Sequence, residues 1–148
     1  MAIRCIALGA DHAGAPLKDY LREKLTEAGC EVRDLGADGS QRVDYPVYGT
    51  RVASMVSTGE VEQGILVCGT GIGMSIVANK FEGVRAALVH DPFTAQMARE
   101  HNNANILVLG GRLMAREYAW ECVRLWFEGS FEQRHQSRLD QIAAIEKH

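Results

Sequence analysis

Short apolar runs rich in Ile, Val and Leu recur along the chain. Each is followed by a Gly- or Asp-bearing turn and then by a stretch whose apolar positions fall at helical spacing. Five runs stand out: Ile3–Leu8, Glu31–Leu35, Gly64–Val67, Val84–Val89 and Ile106–Leu109. They are nearly continuous rather than alternating, as strands covered on both faces of a parallel sheet require. Between the first two, Leu17, Leu21, Leu25 and Ala28 mark a helix over Pro16–Ala28, which Gly29 is placed to stop. Pro46–Met55, Met74–Lys80, Phe93–Glu100 and Ala115–Glu128 read as the other crossover helices, and Gln133–Lys147 as a final helix with no strand after it. The alternation predicts the α/β class: a three-layer α/β/α sandwich with a Rossmann-like five-stranded parallel sheet and an extra C-terminal helix. A helix without a sheet partner in its own repeat suits packing on another subunit.

With 148 residues, 47% hydrophobic and 24% charged, the chain fits a single domain over 1–148 with a core large enough to fold unaided. The net charge of −3 argues against nucleic acid as a partner, since binding a polyphosphate backbone calls for an excess of Lys and Arg on one face. The apolar run at the N-terminus is cut short by Asp11 and His12, so no signal or membrane segment is expected, and the cytoplasm is the expected compartment. The four cysteines (Cys5, Cys30, Cys68, Cys122) form no Cys-x-x-Cys pair. They read as free thiols rather than as a disulfide framework or a zinc site.

Ligands of open parallel sheets bind outside the carboxyl ends of the strands, so chemistry is sought in the loops after each run. The first run leads into Gly9-Ala10-Asp11-His12-Ala13-Gly14, the third into Cys68-Gly69-Thr70-Gly71-Ile72-Gly73, the fourth into His90-Asp91, and the fifth into Gly110-Gly111-Arg112. His101, Asn102, Asn103 and Asn105 lie just before the fifth. Three glycines in five positions after Cys68 let backbone N–H groups converge on an anion at a helix start, where a thiol also ionises more readily. That makes Cys68 either a base or nucleophile or a buried thiol beside a tight turn. The spacing matches neither a dinucleotide fingerprint nor a phosphate-binding loop with a following Lys, which disfavours nucleotides. Asp11 and His12 can orient or protonate a substrate oxygen, or Asp11 can simply cap the next helix. His101 can equally interact with the last carbonyls of its helix. Arg134 and Arg138, four apart, share one face of the final helix and form either a phosphate grip or a solvated basic face.

These pieces, taken in order, resemble the ribose-5-phosphate isomerase B family, related to the galactose-6-phosphate and allose-6-phosphate isomerases. The match runs nearly end to end. It is carried by Gly9–Gly14 with Leu17-Lys18, Val43-Asp44-Tyr45-Pro46, Gly64–Gly73 with Ala78-Asn79-Lys80, Arg85-Ala86, Ala98-Arg99-Glu100-His101-Asn102, and Arg134-His135 with Arg138. The resemblance implies an aldose–ketose isomerisation of ribose 5-phosphate and ribulose 5-phosphate through an enediolate, with neither metal nor cofactor. Cys68 is then the proton-abstracting base, with Gly69, Thr70, Gly71, Ile72 and Gly73 around the developing oxyanion. His101 opens the sugar ring with Asp11 assisting, and Asn102 binds the enediolate or substrate hydroxyls. His12, Arg112, Arg134 and Arg138 hold the phosphate, and Tyr45 joins the substrate site. The resemblance further implies a homodimer with sites shared between subunits, and leaves open further assembly into a tetramer. One branch of the family carries Gly at the position of Cys68 and a glutamate base at that of Met74; this chain makes the opposite choice at both. It departs from its relatives at Ala15, where many have Phe, and matches only loosely over 37–42. Those departures leave open an aldose phosphate of four or six carbons, such as erythrose 4-phosphate or allose or galactose 6-phosphate. A non-catalytic sugar-phosphate binder is the reading from another class. A thiol redox protein ranks last, because no resolving cysteine lies near Cys68 in the sequence.

Overall fold

Successive strand residues point to opposite faces of a sheet, and in the three central strands of this chain both faces are buried, while the first edge strand exposes Glu31 and Arg33. In the computed structural model, described for residues 4–146, β1 (Cys5–Ala10), β2 (Glu31–Asp34), β3 (Gln63–Cys68), β4 (Ala86–Leu88) and β5 (Ile106–Gly110) alternate with α1 (Ala15–Glu27), α2 (Tyr45–Ser57), α3 (Ile72–Ala78), α4 (Pro92–Glu100) and α5 (Arg116–Glu128). A 3-10 turn at Gln133–His135 leads into α6 (Gln136–Ile145). Ile6, Leu8, Ile65, Val67, Leu107 and Leu109 pack with Leu17, Leu21, Leu25, Ala98 and Trp126 beneath α1, α4 and α5. Ala7, Leu66, Cys68, Ile106 and Val108 pack with Val52, Ala53, Met74 and Ala78 beneath α2 and α3. The continuous apolar runs follow from this double coverage, and the predicted sandwich is the observed one.

All five strands are parallel, in the order β2-β1-β3-β5-β4. Residue Ala10 stands opposite Val67 and Cys68 opposite Gly110, so the ends of β1, β3 and β5 lie side by side. The chain leaves β1 toward β2 on one side and returns to β3 on the other. The loops after β1 and β3 therefore diverge, and a crevice opens between them.

Element boundaries differ from the expected ones for local reasons. Strand β1 extends through Gly9 and Ala10, while Ile3 lies outside the described residues, as does Lys147 at the end of the final helix. Cys68 is the last residue of β3 rather than the first of the loop. Strand β4 is only three residues long, because the Val84 N–H is donated to Phe81 and the Arg85 N–H to Asn105 Oδ1 at 2.8 Å before pairing begins. It is also the sheet edge. Asn79 covers part of that edge, donating to the Ala86 carbonyl at 3.0 Å and accepting the Ala86 N–H at 2.9 Å. Among the described residues, no helix is long and apolar enough to cross a membrane.

Candidate active site

The crevice between the ends of β1 and β3 is built from backbone brought unusually close. A Cβ added at Gly14 would stand 2.3 Å from the Val67 carbonyl oxygen, and one at Gly111 would stand 2.9 Å from the Ala13 carbonyl. The three loops that follow β1, β3 and β5 thus touch without side chains between them. The Gly111 N–H donates to the Cys68 carbonyl at 2.8 Å and the Arg112 N–H to that of Gly69 at 3.0 Å. These bonds lock the Cys68 loop onto the Arg112 loop.

Cys68 is 4% exposed at this junction. Gly71 follows in the left-handed region, φ +83°, where only glycine is unstrained and where a Cβ would strike Leu88 and Leu109. That turn starts α3 directly after Thr70, whose Oγ1 accepts the Ile72 N–H at 3.3 Å. Tyr45, at the start of α2, lays its ring on Gly73, and a Cβ there would be 2.4 Å from the ring. Met74 on the first turn of α3 is fully buried, close to Gly49. The first turn of α3 carries no carboxylate.

Asp11 is buried, and its Oδ1 accepts the Gly14 N–H at 3.0 Å. This stabilises the turn into α1 instead of capping the helix itself, whose N-cap is Gly14. The His12 Nδ1 accepts the Val43 N–H at 3.1 Å. A nitrogen that accepts a backbone N–H carries no proton, so the proton of neutral His12 sits on Nε2, which is left free to donate. The same contact draws the segment before α2 over the Asp11 loop. Gly39 presses on the buried Ala15, with a Cβ there 3.2 Å from that of Ala15. The weakly matching loop and the departure at Ala15 are therefore one packed feature. Arg112 is exposed, and its guanidinium passes over Gly69.

The remaining predicted residues lie elsewhere. Helix α4 runs back against the strand direction, so its C-cap His101 and the following Asn102 emerge at the opposite end of the sheet, beside Asn105, whose carbonyl accepts the Gly64 N–H at the start of β3. Six strand residues at about 3.3 Å each separate that end from Cys68 by roughly 17 Å. Within one chain, Cys68 and His101 do not meet.

His101 instead joins the start of the final helix. The His101 and His135 rings are 4.4 Å apart. The Nε2 atoms of both lie 3.8 Å from Glu132 Oε2, and Arg134 pairs with the same carboxylate at 3.0 Å. Arg138 Nη1 lies 3.2 Å from His135 Nδ1. Arg134 stands in the 3-10 turn and Arg138 in α6, so the pair is gathered around His135 and not by helical spacing alone. His135 is 4% exposed and its Nε2 has no hydrogen-bond partner. Burial, then the charges of Arg134, His101 and Arg138, push its pKa below the usual histidine value against the opposing pull of Glu132. Donor atoms of His101, Glu132 and His135 fall within 4.8 Å of one another, but the two arginines bordering them make the patch better suited to an anion than to a metal ion. Glu132 was not legible as part of this patch. Its role depends on a 31-residue separation from His101 that only the fold closes.

The other thiols are free. Cys122 is buried, and burial followed by Asp91 and Glu121 pushes its pKa up to about 11. Burial likewise raises that of Cys30.

The family model described as Ribose/Galactose Isomerase matches residues 6–142. Ribose-5-phosphate isomerase B of Escherichia coli K12 is 47% identical over 96% of both chains. The structure of Clostridium thermocellum ribose-5-phosphate isomerase B superposes with a TM-score of 0.94 at 44% identity, covering 97% of each chain. That of Mycoplasma genitalium ribose-5-phosphate isomerase B, solved with bound ribulose-5-phosphate, superposes at 0.93 with 38% identity, also covering 97% of each. A shared fold and sequence over almost the whole length lead to one conclusion: this chain belongs to the ribose/galactose isomerase family.

Proposed function

We propose that the protein is an aldose–ketose isomerase interconverting D-ribose 5-phosphate and D-ribulose 5-phosphate, with Cys68 as the base. The observation that carries the base assignment is the Cys68 thiol at the head of the crevice, with buried Met74 where an acid would be the alternative. The sugar assignment draws on the E. coli relative and on the ribulose-5-phosphate held by the M. genitalium neighbour.

In this reading the Cys68 thiolate removes the proton from C2 of the open-chain aldose. The C–H pair becomes the C1=C2 bond, and the carbonyl pair moves onto O1. Backbone N–H groups from Gly69 to Gly73 stabilise that oxyanion, an effect worth about 2.7–4 kcal/mol for each well-placed donor. The C1=C2 pair then takes the proton back at C1, the O–H pair of the C2 hydroxyl becomes the C2=O bond, and the proton it releases passes to O1, giving the ketose. His12 presents Nε2–H to the phosphate end together with Arg112, and Asp11 and Thr70 line the reacting end.

Ring opening by His101, enediolate binding by Asn102 and phosphate binding by Arg134 and Arg138 then come from a second subunit, because their own Cys68 is roughly 17 Å away. The edge strand β4 supports that homodimer. Ile72 and Ile76 of α3, which packs on β4, and Ile142 of α6, which lines a cavity with Ala86 and Ala87, are exposed, as are Phe93 of α4 and Ile145 of α6; these are apolar side chains that a second copy would cover. Free cysteines fit the reducing cytoplasm.

The test is turnover by the purified protein with ribose 5-phosphate and with four- and six-carbon aldose phosphates. The expected result is preference for the pentose and, in Cys68→Ala, a loss of about 10²–10⁴-fold in kcat with substrate binding retained. Retained turnover in that variant removes Cys68 as the base. Activity confined to another sugar transfers the reading to that sugar, which Gly39 packed on Ala15 would help to select.

A further inference from the structure

The end of the sheet away from Cys68 holds a cavity of about 440 Å³ that no step above uses. Arg4, Arg85 and Arg99 line it, with Asn103, Asn105 and Phe127. None of the three arginines forms an ion pair among the described residues. Arg4 donates to the Phe127 carbonyl and stacks on its ring at 4.4 Å. Arg85 donates to the carbonyls of Asn103 at 3.1 Å and Gly83 at 3.3 Å. Arg99 donates to the Trp126 carbonyl at 3.2 Å and to Asn103 Oδ1 at 2.6 Å. Its Nη2 is closed to solvent and has no partner, and the residue is only 8% exposed.

A buried guanidinium without a counter-charge is costly, because burial removes hydration that carbonyl oxygens replace only in part. Here the cost is compounded by like charges. Burial, then Arg4 and Arg85, bring the Arg99 pKa down to about 10, which leaves it protonated at neutral pH. Among the described residues Glu62, which also lines the cavity, makes no ion pair, and Glu146 acts on Arg85 from beyond ion-pair distance. Carbonyls hold the three guanidinium groups in place while leaving N–H groups unspent, which preorganises the cavity for an anion. Its volume lies in the range of small-molecule pockets and exceeds what inorganic phosphate alone would fill.

We propose that this cavity is a second anion site, for a small phosphorylated metabolite, distinct from the Cys68 crevice and from the Arg134–Arg138 patch. Arg4 and Arg85 contact the phosphate at the mouth, and Arg99 supplies a fixed charge behind them.

Pyrophosphate is the probe, titrated calorimetrically at constant ionic strength into full-length protein carrying Arg134→Ala and Arg138→Ala, so that the other cationic patch is removed. One equivalent per chain is expected to bind. Adding Arg4→Glu, a surface change, is expected to weaken binding by about tenfold or more, the loss of one charge-assisted contact. A second measurement follows the Trp126 indole N–H resonance in otherwise unaltered protein. That group donates to the Ala104 carbonyl at 2.8 Å, and its ring lies 5.1 Å from the Arg99 guanidinium. Saturable movement of the resonance on adding pyrophosphate, with its midpoint moved about tenfold or more higher by Arg4→Glu, supports the site. Absence of saturable binding, or binding that Arg4→Glu leaves unchanged, overturns it.

Discussion

Cys68 and Gly14 show how much of the crevice rests on single side chains and on their absence. The thiol occupies the last position of a strand that is buried from Gly64 onward. Gly14 lets the Asp11 loop lie directly on the Val67 carbonyl. Its backbone is in the ordinary helical region, φ −92°, so alanine there is penalised by contact and not by conformation. Gly14→Ala is expected to lower stability by about 1–3 kcal/mol, as overpacking does, and to impair turnover more than Gly29→Ala. Gly29 has open space around it, so only its φ of +92° resists substitution. Urea denaturation and kcat/KM on both variants check this. The positions of Cys68, Asp11, His12, Thr70 and Arg112 at or just beyond strand ends were legible because the strands can be recognised locally. Glu132 was not, since its partners His101 and His135 converge on it through tertiary contact.

At the scale of elements, α1 is tied to β2 by a charge cluster that periodicity alone conceals. Lys18 is 2% exposed, in a helix position that reads as apolar, and its Nζ is 2.8 Å from both oxygens of Asp34. Arg22 reaches the same carboxylate at 2.7 Å. Burial raises the Asp34 pKa, but the hydrogen bonds from Lys18 and the Gly36 N–H, with the charges of Lys18 and Arg22, carry it below its usual value overall. A carboxylate whose folded pKa is depressed stabilises the fold above its unfolded pKa, about 3.9, and loses that contribution as pH falls through the lower folded value. Acid unfolding as the pH falls below about 4 should therefore become less steep in Asp34→Asn, which should also be less stable at pH 7 than the parent. Thermal unfolding measured across that range tests both signs, and an unchanged slope would count against the assignment. The final helix makes a contrasting case. It buries only Leu139 through its α-helical part and leaves Ile142 and Ile145 exposed, so its amphipathic pattern finds little to cover within its own chain.

For the molecule as a whole, the separation of Cys68 from His101 by the length of a strand makes subunit exchange a direct test of the proposed sharing of sites between subunits. Cys68→Ala and His101→Ala homodimers should each be nearly inactive. Mixed after partial unfolding and refolding, they should recover about a quarter of the parental activity: half of the dimers are then hybrid, and one of the two sites in each hybrid draws Cys68 and His101 from unaltered chains. No recovery above the separate variants, with hybrids demonstrated by mass, would confine each site to one chain.

The alternating elements, the two-sided burial of the central strands and the reactive side chains carried by the loops after β1, β3 and β5 were all determined by local sequence. Hydrophobic periodicity, turn glycines and strand ends are short-range properties. The strand order and the crevice it opens, the pairing of Lys18 with Asp34, the gathering of His101, Glu132 and His135, and the three arginines around one cavity were decided only by tertiary structure. Each depends on residues far apart in the chain. Which charges then face one another follows from how helices lie across a sheet, and the spacing within any one segment carries no record of that.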